Sequence, residues 1–464
     1  MAELSCIGVC GAGAMGGGIA QVAATAGHDV LVFDTSTSAL EAGASRLSAS
    51  LAALVQRGRL DADEREAITA RVRWVDDLAL LAPCDLVVEA IVEDAAIKQA
   101  LFRGLEAVLG DEAILATNTS SLSVAALAKS LAKPSRFLGM HFFNPPTAMK
   151  LVEVVRGPAT SDGAAAAILE IAQSWGKKPV PVADVPGFIV NRVARPFYAE
   201  AFRALQEHAV PANVLDHLFR ASAGFKMGPL ELTDLIGQDV NYAVARSIYD
   251  AYPGVTRFVP QLVQRNLVDA GWLGRKTGRG VYDYAEGRSP AWNPPEPDDR
   301  SGASDMTGAD VIEHDGVTIR RTRGRRAASE AADLGRPVAL LDWFDDAAAT
   351  SIAFSASDRQ AAEVARQVIA SSGRYPIEIA DRPGLIVMRT LAQIANAAGD
   401  AVFEHVSDEN GIDQALRYGA NYPFGPCAWA RRLGVHALID TLEALQSETG
   451  QTFYAPSEHW RCAG

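Results

Sequence analysis

Nowhere in the 464 residues does an apolar run approach the roughly 18 needed to cross a bilayer, and "MAELSCIGVC" enters a strand without a charged, cleavable leader. These absences point to a cytoplasmic protein. Cysteine is sparse: Cys6, Cys10, Cys84, Cys427 and Cys462 show no metal-ligand spacing, so no metal site is expected and a reduced compartment fits. Positive charge is in deficit, and a net charge of −13 offers nucleic acid no attractive field. The one basic cluster, "RRTRGRR" at 320–326, lies in a stretch of poor periodicity and reads as a solvated linker. Low-complexity tracts beyond linker length are missing too, and the chain exceeds one average core, so two or three globular domains are expected.

What is present begins at once. "CIGVCGAGAMGGGIAQVAATAGHDVLVFDTS" reads as strand, glycine turn, helix, strand and acid. Gly11 permits the tight turn, Gly13 lets backbone approach a pyrophosphate, and Gly16 lets helix and strand pack closely. Asp34 accepts from ribose hydroxyls and repels a 2′-phosphate, which favours NAD over NADP; FAD shares the glycine pattern. The short apolar strands "RVRWV", "CDLVVEAI", "AILATNTS" and "RFLGMHFF" then alternate with helical stretches, as in a Rossmann-type doubly wound α/β sheet over 1–183.

Ligands of such sheets bind at the carboxyl ends of the strands, and the polar residues collect there. Glu93 and Lys98 follow one strand, Asn118 and Ser120 the next, and His141 and Asn144 a third, with Glu153 twelve residues after the histidine. An imidazole and a carboxylate in apolar strands are costly to bury unless they pair, so a His141–Glu153 pair is expected. The bland alternatives are a satisfied core histidine and, for Ser120, the N-cap of the helix opened by "TSSLSVAAL".

In order, "GAGAMG", "VEAIVED", "NTSSLS", "HFFNPP", "KLVEVV", "PGFIVNR", "GPLELTDLIG" and "GRKTGRGVYDY" resemble the L-3-hydroxyacyl-CoA dehydrogenase family over roughly residues 4–285. The resemblance implies NAD-dependent oxidation of a (3S)-3-hydroxyacyl-CoA to the 3-ketoacyl-CoA, and an all-helical domain over 184–285. By position it makes His141 the base and Glu153 its orienting carboxylate, sets Ser120 on the reacting oxygen, and assigns Asn191 to the substrate's carbonyl end. NAD contacts map to Asp34, Glu93, Lys98, Asn118, Asn144 and Lys276. CoA contacts map to Ser50 and Arg57, the latter in place of the usual lysine, which leaves its contact geometry open.

At a constant offset of 197 residues, "DVPGFIVNR" returns as "DRPGLIVMR", Glu207-His208 as Glu404-His405 and Gly228-Pro229 as Gly425-Pro426. The helical domain is therefore duplicated, with a linker expected over 286–335 and a degenerate copy over 336–464. Upstream that copy keeps only vestiges: "RPVALLDWF" resembles a terminal sheet strand, but a glycine fingerprint, a "HFFNP" and a paired glutamate are missing, and Met388 stands at the place of Asn191. In short family members the helical domain pairs two subunits, so a homodimer is one expectation, with the second copy replacing part of the partner surface as another.

The resemblance extends to bacterial 3-hydroxybutyryl-CoA and 3-hydroxyadipyl-CoA dehydrogenases, of fatty acid and phenylacetate breakdown. A terminal carboxylate on the acyl chain would need a cation, for which Arg195 and Lys226 stand available, although exposure is the default for both. Two rivals remain. UDP-sugar dehydrogenases share the domain plan but need a cysteine nucleophile, and none lies between Cys84 and Cys427. A non-catalytic NAD- or acyl-CoA-binding protein would have no use for a His–Glu pair.

Overall fold

The computed structural model describes residues 5–285, 291–292, 294 and 311–464, in two compact units. One comprises 1–190 with 405–420, the other 191–404 with 421–464.

The first unit is built on an eight-stranded sheet: β1 Cys6–Cys10, β2 Asp29–Phe33, β3 Val72–Val75, β4 Leu86–Glu89, β5 Ile114–Thr117, β6 Phe137–Phe142, β7 Leu151–Arg156 and β8 Lys178–Ala183. Its order is β3-β2-β1-β4-β5-β6-β7-β8, parallel except where β7 runs against β6. The four strands read from sequence lie at β3 to β6. Val30, Val32, Leu86, Val88, Leu138 and Met140 share one buried core with Ile19, Ala20 and Ala23 of helix Ala14–Thr25, in keeping with the near-continuous apolar runs. The helix Glu409–Gly419, from the far end of the chain, packs on β7 and β8 of this sheet.

In the second unit five strands, β9 Val311–His314, β10 Val317–Arg321, β11 Val338–Leu341, β12 Ser351–Ala356 and β13 Tyr375–Glu378, form a sheet of order β13-β12-β11-β10-β9. β10 is parallel to β11, β11 antiparallel to β12, and β12 parallel to β13, the pattern of β5 to β8. This corrects the expected linker and second copy. Residues 311–334 form two strands and helix Ala327–Leu334, and the sheet continues to residue 378. Residues 286–290, 293 and 295–310 of the expected linker lie outside the described residues. The basic segment is also corrected: Arg320 and Arg321 sit on β10 and pair with Glu330 and Asp346, while Arg325 and Arg326 pair with Glu448. The short segment hid its period because one strand and a tight turn share seven residues.

The two helical copies meet within this unit through helices Arg195–Gln206 and Val387–Phe403. Their contacts are reciprocal. Arg192 pairs with Glu404 at 2.7 Å, and the equivalent Arg389 with the equivalent Glu207 at 3.4 Å. The sheets repeat the pattern: the Ala183 N–H donates to Val406 O in the first unit (2.9 Å), and the Ala380 N–H to Ala209 O in the second (3.4 Å). A residue contacting its partner's equivalent in both directions is the mark of an isologous, two-fold interface, here formed inside one chain.

Candidate active site

The loop after β1 explains its glycines. Gly11 has φ +105°, and a Cβ there would stand 2.5 Å from the Ala90 carbonyl oxygen; one on Gly16 would stand 1.8 Å from the Gly11 carbonyl oxygen. Gly13 then starts helix Ala14–Thr25 with no side chain capping it, so the first N–H groups of the helix stay open. Asp34, just beyond β2, accepts from the Ala12 N–H at 2.9 Å and the Ser36 N–H at 3.0 Å, which fixes the acid against the glycine turn. Turn, open helix terminus and acid together fit the pyrophosphate and ribose of NAD.

At the ends of β4 and β5 a buried ion-pair network holds the crevice wall. Lys98, 1% exposed, donates to Glu89 at 2.6 Å and lies 3.0 Å from Glu93. Glu93 also accepts from Thr119, the Ser120 N–H and Ser121. Buried between them, Lys98 is the counter-ion of two carboxylates. Glu89 was missed by sequence reading; its signal is the first acid of "VVEAIVED", at the strand's last position. Asn118 accepts the Phe142 N–H at 2.8 Å, tying the end of β5 to that of β6.

His141, on β6, faces Glu153 across the antiparallel pair with β7. Its Nδ1 lies 2.7 Å from Glu153 Oε2, and the ring packs beside Phe143 and Phe188. The other carboxylate oxygen accepts the N–H groups of Ile189 and Val190, each at 3.0 Å. Glu153 therefore orients the imidazole and anchors the chain immediately before Asn191. Nε2 of His141 has no partner among the described residues. Ser120 is exposed and its hydroxyl is unbonded among the described residues, the helix Val124–Ala128 being capped by Ser123 instead. Asn144 is exposed after β6. Lys177, also missed, is buried and donates to the carbonyls of Pro146 and Met149, securing the loop that carries Asn144; burial lowers its pKa. Ser50 lies within helix Thr37–Gln56 and Arg57 is its C-cap, a seven-residue spacing that puts both on one face.

In the second unit Asn191 is half-buried, its side-chain amide unbonded among the described residues, whereas Met388 is 1% exposed. Lys276 is bonded to both oxygens of Asp239, at 2.6 and 2.7 Å, so any NAD contact must share it with that acid. Asp234, buried in "LELTD", accepts from the Val281 and Tyr282 N–H groups and from Tyr284, and so ties "GRGVYDY" to the helices. Lys226 is exposed as expected, but Arg195 is buried.

The described residues hold no group of three or more metal-ligating side chains and no helix long and apolar enough to cross a membrane. Family models match nearly the whole chain: "3-hydroxyacyl-CoA dehydrogenase, NAD binding domain" over 6–185, the C-terminal domain over 187–284 and again over 384–462, and a "3-hydroxybutyryl-CoA dehydrogenase reduced Rossmann-fold domain" over 319–383. A 3-hydroxyadipyl-CoA dehydrogenase of Escherichia coli is 42% identical, covering 98% of this chain and 96% of its own. A crystal structure described as 3-hydroxybutyryl-CoA dehydrogenase from the same species has a TM-score of 0.93 at 41% identity, covering 99% of this chain and 98% of its own. A probable 3-hydroxybutyryl-CoA dehydrogenase of Deinococcus radiodurans is 43% identical, covering 60% of this chain and 99% of its own. The chain belongs to the 3-hydroxyacyl-CoA dehydrogenase family, enzymes that use NAD to oxidise 3-hydroxyacyl-CoA.

Proposed function

We propose that His141 is the base that takes the proton from the 3-hydroxyl of a (3S)-3-hydroxyacyl-CoA. The observation that carries this is the 2.7 Å contact of His141 Nδ1 with Glu153, which leaves Nε2 to meet substrate. Glu153 balances the charge the imidazole gains, Ser120 donates to the reacting oxygen, and Asn191 holds the thioester carbonyl. Bound NAD would accept the hydride from C3. Gly11, Gly13, Gly16, Asp34, Glu93, Lys98, Asn118 and Asn144 would hold it, with Lys276 a further contact, and Ser50 with Arg57 would meet CoA. The acyl chain proposed is dicarboxylic, on the ground that a relative covering nearly the whole chain is named for 3-hydroxyadipyl-CoA. A cytoplasmic place suits CoA thioesters as substrates. The second copy is proposed to supply surface that a partner subunit gives in short relatives, a reading supported by the reciprocal arginine–glutamate pairs. NADH formation from 3-hydroxyacyl-CoA by the wild type, lost in His141→Ala, tests the reading; an inactive wild type overturns it.

A further inference from the structure

Arg195 is a buried cation without an acid. Only 9% of it is exposed, and no carboxylate pairs with it among the described residues. Its Nε donates to the Asn191 carbonyl at 2.7 Å, its Nη1 lies 3.5 Å from Asn241 Oδ1, and its guanidinium stacks over Tyr198 at 4.9 Å. Desolvation lowers its pKa, opposed only by Tyr198 and Tyr422. Neutral dipoles offset a buried charge only in part, so the site is left short of one negative charge.

The repeat shows that the fold does not require this charge. At the positions equivalent to Arg195 and Asn241 the second copy has Ala392 and Leu438, both fully buried. In the first copy Asn241 is joined through Gln264 to Gln238 and on to Asp234, a line of buried amides ending at the guanidinium. A cavity of about 20 Å³ is lined by Arg195, Tyr198, Asn241, Gln261 and Gln264. It has room for about one water, and a single carboxylate oxygen in that place would face the guanidinium. Arg257 borders the same cavity but is neutralised by Asp400 at 3.1 Å.

We infer that Arg195 is the specificity residue that receives the far carboxylate of a dicarboxylic 3-hydroxyacyl-CoA, an inference that rests on the dehydrogenase reading above. Its tether to Asn191, the residue assigned to the thioester end, spans one helical turn. Both ends of a short dicarboxylic acyl chain would then be read from one stretch of helix.

The test compares kcat/KM for 3-hydroxyadipyl-CoA, 3-hydroxyhexanoyl-CoA of equal chain length, and 3-hydroxybutyryl-CoA, in wild type, Arg195→Met and Arg195→Lys. The expectation is that wild type prefers the adipyl over the hexanoyl substrate. Arg195→Met should lose about tenfold or more on the adipyl substrate alone. Arg195→Lys should recover part of that loss. Equal losses on all three substrates, or none on any, overturn the inference. Should the methionine variant fail to fold, inhibition of wild type by adipyl-CoA against hexanoyl-CoA decides it, and equal potency overturns it. A wild type that oxidises 3-hydroxybutyryl-CoA but not 3-hydroxyadipyl-CoA defeats this inference and leaves the dehydrogenase reading intact, whereas a wild type inactive on all three defeats that reading.

Discussion

Asp342 stands in the second sheet where His141 stands in the first. His141 is paired in register with Glu153, and Asp342 donates its N–H to Ala353, the counterpart of Glu153 by its pairing with the next strand. The single carboxylate inherits the structural half of the first copy's work. Glu153 accepts the N–H groups of Ile189 and Val190, and Asp342 accepts those of Ile386, Val387 and Met388. The anchor survives in the second copy, and the imidazole does not.

Separating these two roles in the first copy gives the first prediction. His141→Ala should lower kcat by roughly 10²- to 10⁴-fold and leave NAD affinity little changed. Glu153→Gln should lower kcat by roughly 10²-fold or more and also destabilise the chain, because it disturbs the anchor. Steady-state kinetics with thermal unfolding check both. A stable, fully active Glu153→Gln would show that the carboxylate's charge is dispensable.

Asn191 and Met388 extend the comparison. Asn191→Ala should raise KM or lower kcat with little change in unfolding temperature, since its side-chain amide bonds none of the described residues. Met388→Leu, in a fully buried position, should be silent in kinetics and cost less than about 1.5 kcal/mol. Comparable catalytic damage from both would end the division of labour between the copies.

The cofactor half and the His–Glu pair were legible because each depends on local pattern: glycine spacing, strand periodicity and the cost of burying two polar groups in adjoining strands. Glu89 and Lys177 escaped because their meaning lies in partners that only the fold brings near, Lys98 in one case and two carbonyls in the other. Most of the second sheet escaped for another reason. "LDWFDD" follows β11 as "HFFNPP" closes β6, but with the chemistry gone its residues share almost no identity. Arg195 was misjudged as exposed because burial of an unpaired arginine runs against the general rule.

Asp34→Ala should weaken NAD and relax discrimination against NADP, since it removes a ribose acceptor and the charge that repels a phosphate. It also frees the Ala12 N–H that the carboxylate now holds. Kinetics with both cofactors measure the effect, and an unchanged preference would assign cofactor choice to another residue.

The last prediction concerns pH. Burial pushes the Asp342 carboxyl up to about 6 from 3.8, although four backbone N–H groups, of Met388, Val387, Ile386 and Trp343, favour its anion. The folded state therefore holds this proton more tightly than the unfolded chain, and between those two values it binds the larger share. Stability from this group is present in full below about 4, falls as pH rises towards 6, and is absent above, a change of roughly 2 to 3 kcal/mol at most. Asp342→Asn keeps the shape without the titration. Its own stability should be lower, because an amide NH2 now faces backbone donors, but its loss of stability between pH 4.5 and pH 7.5 should be smaller than that of wild type. Denaturant unfolding at those two pH values measures the difference, and equal pH dependence in the two proteins would show that Asp342 does not titrate in this window.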